Sequence, residues 1–171
     1  MMMAEVDKIL LTPSVVRAQC LLLVGDAGMG KTAIVDFASR HYAALLGDGA
    51  RKRLVHVILP PVTVDRAMFY QRVLKSLGIP FCKTDKPDFL HEQVVDALGD
   101  LGTLMLLIDE FHNFLGGGAK KHLKEHMEAI RDLANIPVSI VAAGTQLAEC
   151  EPCHPVSVRR LTGSDVDWLL P

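Results

Sequence analysis

Gly25-Asp26-Ala27-Gly28-Met29-Gly30-Lys31-Thr32 fits the pattern G-x-x-x-x-G-K-[ST] and directly follows the apolar run Cys20-Leu21-Leu22-Leu23-Val24. Residues of these types at this spacing hold phosphate. The glycines permit a tight turn after a strand, and successive backbone N–H groups then converge on anionic oxygens. Lys31 is expected to reach the β- and γ-phosphates of a nucleoside triphosphate, and Thr32 to offer its hydroxyl to Mg²⁺. The stretch Thr32-Ala33-Ile34-Val35-Asp36-Phe37-Ala38 reads as a helix that aims its positive dipole end at the same anion. A glycine-rich turn can match by accident, but an apolar run before it and a helical pattern after it favour the phosphate loop.

A second constellation completes the chemistry. Leu104-Met105-Leu106-Leu107-Ile108-Asp109-Glu110 has the pattern of a buried parallel strand ending in two carboxylates, as a Walker B element does. Asp109 would hold Mg²⁺ through its water shell, and Glu110 would polarise the water that attacks the γ-phosphate. Two acids after an apolar run are unremarkable alone; the phosphate loop upstream gives them their meaning. P-loop proteins with a catalytic glutamate insert a strand between the two motif strands, and the 54–59 run is the segment expected to supply it. The next apolar run, Val138-Ser139-Ile140-Val141-Ala142-Ala143, leads to Gly144-Thr145. Thr145 is therefore the candidate sensor of the γ-phosphate at the sheet's ligand edge, although a threonine at a strand end often serves only as a cap.

The elements that must position these residues follow from the rest of the chain. At 171 residues, half of them apolar, it has the length of one domain and enough material for a core. Apolar runs alternate with helical patterns, the signature of an α/β fold with a mainly parallel sheet and helices on both faces. Strands are expected at 20–24, 54–59, 104–108, 138–143 and 155–160, and helices at 31–46, 65–77, 87–98 and 120–134. Met68, Val73, Leu74 and Leu77 illustrate the helical spacing. Pro60-Pro61 ends the second strand, Gly78-Ile79-Pro80 ends a helix, and Gly116-Gly117-Gly118 makes a loop. A short helix is expected over 164–170.

Charge and cysteine usage narrow the function classes. Eighteen basic against 20 acidic residues give a net charge of −2, so no overall basic field points to nucleic acid. No run approaches the roughly 18 apolar residues of a membrane span, and the first residues lack a basic, apolar leader, so a cytoplasmic protein with reduced cysteines is expected. Cys150-Glu151-Pro152-Cys153-His154 spells a haem-attachment spacing, but a cytosolic setting and the lack of a fourth ligand nearby argue against haem and zinc alike. His122 and His126 stand four apart on a helical pattern among Lys120, Lys121 and Lys124, which reads as a solvated face.

Taken together, these elements resemble the AAA+ ATPases of DNA transposition, the TniB family and its relative TnsC. The resemblance extends beyond the nucleotide motifs to Leu59-Pro60-Pro61-Val62, Arg66-Ala67-Met68-Phe69-Tyr70, Leu74-Lys75-Ser76-Leu77-Gly78-Ile79-Pro80, Ile108-Asp109-Glu110-Phe111-His112-Asn113-Phe114-Leu115 and Val141-Ala142-Ala143-Gly144-Thr145. It covers residues from about 10 to 161. It implies a P-loop NTPase three-layer sandwich of the AAA+ type, with a mainly parallel five-stranded sheet and a catalytic glutamate. It also implies ATP and Mg²⁺ as ligands, assembly into a homo-oligomer, and action on DNA with a partner transposase in target selection.

Two departures from that family pattern matter. The segment Ala148-Glu149-Cys150-Glu151-Pro152-Cys153-His154-Pro155 carries no arginine, where family members usually place one to touch a neighbouring subunit's nucleotide. Arg159 and Arg160 follow and could substitute. An arginine finger can be worth several orders of magnitude in turnover, so ATP binding is implied more firmly than brisk hydrolysis. The helical lid that normally follows the core is not found before Pro171, so residues 1–171 read as a single nucleotide-binding core with the lid absent or truncated. Lys120, Lys121 and Lys124, or Arg51-Lys52-Arg53, are the basic groups that could track DNA phosphates, although solvated charge is the simpler account of each. A helicase would need a second lobe, and a GTPase an Asn-Lys-x-Asp, which is absent. A nucleotide-gated assembly protein that binds ATP without efficient hydrolysis is the alternative from a different class.

Overall fold

The computed structural model describes residues 20–47, 53–115, 120–145 and 157–161, with the side chains of 120–124, 134 and 157–161 outside the description. The strands are β1 (Cys20–Val24), β2 (Leu54–Ile58), β3 (Met105–Asp109), β4 (Ser139–Gly144) and β5 (Ser157–Leu161). The helices are α1 (Lys31–Leu46), α2 (Arg66–Leu77), α3 (Pro87–Asp100), the single turn α4 (His112–Leu115) and α5 (Lys120–Ala134). The strands form one five-stranded sheet in the order β2-β3-β4-β1-β5. β2, β3, β4 and β1 run parallel, and β5 returns antiparallel beside β1.

Alternation along each strand divides the core into two layers, because successive side chains point to opposite faces. Leu22, Val55, Val57, Leu106, Ile108, Ile140 and Ala142 face one side, where α2, α3 and α5 bury Phe69, Val73, Leu90, Val94, Ile130 and Leu133 against them. Leu21, Leu23, Leu54, Met105, Leu107, Val141 and Ala143 face the other, where α1 brings Val35, Ala38 and Tyr42. The runs are continuously apolar because both faces of a parallel sheet are covered. Helix α2 starts where the Asp65 carboxylate accepts the Met68 N–H at 2.7 Å, and α3 starts with Pro87 in its first turn, a position that needs no N–H partner.

The observed elements keep the expected alternation. Their ends move by one or two residues: β3 and β4 each sit one position later than their apolar runs suggest, because ladder pairing with the neighbouring strand decides the last residue. One expectation about order is corrected. The strand between the two motif strands is β4, and the 54–58 strand lies at the edge of the sheet beside β3. Burial explains the placement: every residue of β4 is buried, as a strand flanked on both sides requires, whereas β2 leaves His56 half-buried and Ile58 exposed.

A second correction concerns His126, which is not on a solvated face. It is 5% exposed and stacks on Phe114 with ring centroids 4.2 Å apart. The Cys150–Cys153 pair, the arginine-free segment, Arg51, Lys52 and the 164–170 helix lie outside the described residues. Among the described residues, no helix is long and apolar enough to cross a membrane.

Candidate phosphate and water-activation site

The parallel register brings the two motifs to one edge of the sheet. Val24 at the end of β1 pairs with Gly144 at the end of β4, and Ile108 on β3 pairs with Ala142 on β4. The glycine loop therefore leaves β1, and the Asp109-Glu110 pair leaves β3, at the same carboxyl edge with one strand between them. This is the crevice position where open α/β sheets bind ligands.

The loop itself has the conformation that its residue types require. Gly28 has φ 79° and Gly30 φ 80°, a left-handed backbone that side chains disfavour. Asp26 to Gly30 are exposed while Gly25 is buried, so the loop stands clear of the sheet on a fixed base. Gly30 is also the N-cap of α1 and has no side chain to cap it, and no acidic residue occupies the first turn. The positive end of the helix dipole is left for an external anion.

Lys31 is 9% exposed, and its ammonium donates to the main-chain oxygens of Gly25 at 2.8 Å and Asp26 at 2.7 Å. The cation thus lies across the base of its own loop. Thr32, the next residue, is exposed.

Asp109 is 2% exposed at the end of β3, and one carboxylate oxygen accepts the Glu110 N–H at 2.8 Å. Its main-chain oxygen accepts the Leu59 N–H at 3.1 Å, which ties the end of β3 to the end of β2. Glu110 has φ 59°, the one positive φ on a non-glycine residue among those described. That conformation is uncommon for a residue with a Cβ, and such outliers gather at functional sites. It turns the chain sharply, so that the Phe111 N–H donates to Ala143 O on β4 at 2.8 Å and α4 follows at once.

The turn is clamped from below by aromatic rings. Phe114 is fully buried between Phe69 of α2, at a centroid distance of 4.5 Å, and His126 of α5. Thr145, the sensor candidate, lies at the β4 end of the same turn, and its main-chain N–H points to His112 Nδ1 at 3.4 Å. The structure therefore gathers Gly25 through Thr32, Asp109, Glu110 and Thr145 around one edge. His112, quoted above as part of the Asp-Glu-Phe-His-Asn stretch, also belongs to this edge. Its place two positions after Glu110 becomes meaningful once the left-handed turn is known.

Comparison with known proteins shows the family and the fold. The family described as bacterial TniB protein matches residues 1–150. The chain is 29% identical over 123 residues to the chaperone protein ClpB of Aquifex aeolicus, a match that takes in 72% of this chain and 10% of that one. Among solved structures, Aeropyrum pernix ORC2 in its ADPNP–ADP complexes superposes with a TM-score of 0.61 at 13% identity, over 85% of this chain and 40% of ORC2. Aeropyrum pernix ORC1 in complex with DNA superposes with a TM-score of 0.60 at 19% identity, over 90% and 39% of the two chains. The chain thus spans a small part of ClpB and about two fifths of the ORC proteins. The chain belongs to the TniB family, and its fold is that of the ATP-binding AAA+ P-loop proteins.

Proposed function

We propose that residues 25–32, Asp109, Glu110 and Thr145 form an ATP–Mg²⁺ site that hydrolyses ATP, and that the protein uses it to regulate DNA transposition. The observation that carries the site is the shared sheet edge: a lysine lying across a glycine loop on β1, and an acidic pair at the end of β3, with β4 between them. The triphosphate would take the loop N–H groups and the uncapped end of α1, and Lys31 would exchange a main-chain oxygen for a phosphate oxygen.

Asp109 and Thr32 offer one carboxylate and one hydroxyl. So small a protein ligand set would suit Mg²⁺, which Asp109 and Thr32 would hold and which would neutralise charge on the phosphates. Glu110 accepts the proton of the attacking water, and the Thr145 hydroxyl reports the γ-phosphate. Residues 1–171 act as one nucleotide-binding core. Assembly into a homo-oligomer, contact with DNA, and a partner transposase are carried over from the resemblance.

Steady-state phosphate release, with and without DNA, compared between the wild type and Glu110→Gln, tests the reading. Turnover that the substitution abolishes supports an ATPase. Tight ATP binding without turnover supports the second reading, a nucleotide-gated assembly protein, which the arginine-free stretch before β5 favours.

A further inference from the structure

Two contacts meet on His112. Its Nδ1 faces the main-chain N–H of Thr145 at 3.4 Å, and its Nε2 lies 3.5 Å from Glu110 Oε2. A main-chain N–H can only donate, so Nδ1 must be the bare, accepting nitrogen. The ring proton of the neutral imidazole then sits on Nε2, which makes that atom a donor directed at the Glu110 carboxylate. A small torsion of the half-exposed Glu110 side chain closes the 3.5 Å approach to a hydrogen bond, as catalytic contacts often tighten when substrate binds.

The backbone that carries the ring is held on both sides. α4 begins at His112, fixed by the Phe111 N–H bond to Ala143 O on one side and by buried Phe114 two residues on. Gly144 makes room for it: a Cβ there would lie 3.0 Å from His112 N and 3.5 Å from His112 Cβ. The end of β4 and the start of α4 are thus pressed together at the point where the imidazole bridges them.

We infer that His112 is a positioning residue that ties the Glu110 carboxylate to the end of β4, so that Thr145 and Glu110 move as one unit around the γ-phosphate. This rests on the ATPase reading above. It adds a specific partner for the glutamate and a route by which occupancy at Thr145 sets the glutamate's aim. The two contacts would restrict the rotation of a half-exposed glutamate, and misplacing a catalytic group by an ångström can cost about a hundredfold.

The test is single-site kinetics on the full chain with ATP and Mg²⁺, together with fluorescent-ATP binding. His112→Ala should lower kcat about tenfold to a hundredfold while KM and ATP affinity stay within about twofold. His112→Gln, whose amide can still donate to Glu110, should recover most of the loss. In ¹⁵N-resolved spectra at neutral pH or above, the His112 ring should be the Nε2–H tautomer. A kcat within twofold of wild type in His112→Ala, a loss of ATP affinity in that variant, no recovery in His112→Gln, or an Nδ1–H tautomer would each overturn the inference. A wild type that binds ATP without Glu110-dependent turnover overturns it too and leaves the binding site standing, whereas a wild type that fails to bind ATP refutes the site itself.

Discussion

Glu110 offers a prediction in which stability and activity part company. At φ 59° its backbone is in the left-handed region, which costs a residue with a Cβ about 1–2 kcal/mol. Glycine has no such penalty but carries about 0.5–1 kcal/mol of extra unfolded-state freedom. Glu110→Gly and Glu110→Ala both remove the carboxylate and its approach to His112, so the difference between them isolates the backbone. Glu110→Gly should be the more stable by about 0.5–1 kcal/mol, which for a domain of this size is about 1–4 °C in Tm. Both variants should lose phosphate release. Urea midpoints with equal m-values, backed by thermal melts, supply the measurement. An alanine variant as stable as the glycine variant, or more so, would refute the argument that the strand end is held in a strained turn.

Three further outcomes follow from the same geometry. Phe114→Ala removes a fully buried ring stacked between Phe69 and His126 and should cost about 3–5 kcal/mol by urea unfolding; a loss under about 1 kcal/mol would mean that the rings do not anchor the turn. Gly144→Ala forces a Cβ to within 3.0 Å of His112 N and should destabilise by about 1–3 kcal/mol, with phosphate release falling more than ATP affinity; unchanged turnover would show that the two segments part freely. The cysteines should differ in reactivity. Burial pushes the Cys20 thiol up to about 11, while the hydrogen bond with Thr84 holds exposed Cys82 below the ordinary thiol range. Because the thiolate is the nucleophile, iodoacetamide near pH 7.5 should label Cys82 before Cys20, with Cys20 joining only as pH climbs towards its own value. Peptide mapping that finds Cys20 labelled as fast as Cys82 would contradict the burial of β1.

The meeting of the two motifs at one sheet edge is legible in the sequence because its signals are local. A glycine loop after an apolar run, and two acids after another, each announce a strand end, and the register of β1, β4 and β3 then has to bring those ends together. Strand order is not a local property, and so the 54–59 run, expected between the two motif strands, lies instead at the edge beside β3. Its difference from β4 lies in burial, which an apolar run of similar composition does not reveal. His126 was misplaced for a related reason. Lysines before it suggested a wet face, but Phe114, more than ten residues earlier in the chain, supplies the ring it stacks on. The role of His112 depends on the left-handed turn at Glu110, and no residue type in Asp-Glu-Phe-His-Asn announces that conformation.

Equilibrium titration of fluorescent ATP in the presence of Mg²⁺, on the wild type and on Lys31→Ala, tests the central claim most directly. Replacing the ammonium would remove the charge-assisted bonds to two phosphates that the proposal gives Lys31, each worth about 1.5–3 kcal/mol, so affinity should fall by at least about a hundredfold. Affinity retained within threefold in Lys31→Ala would contradict the assignment of the glycine loop as the triphosphate site.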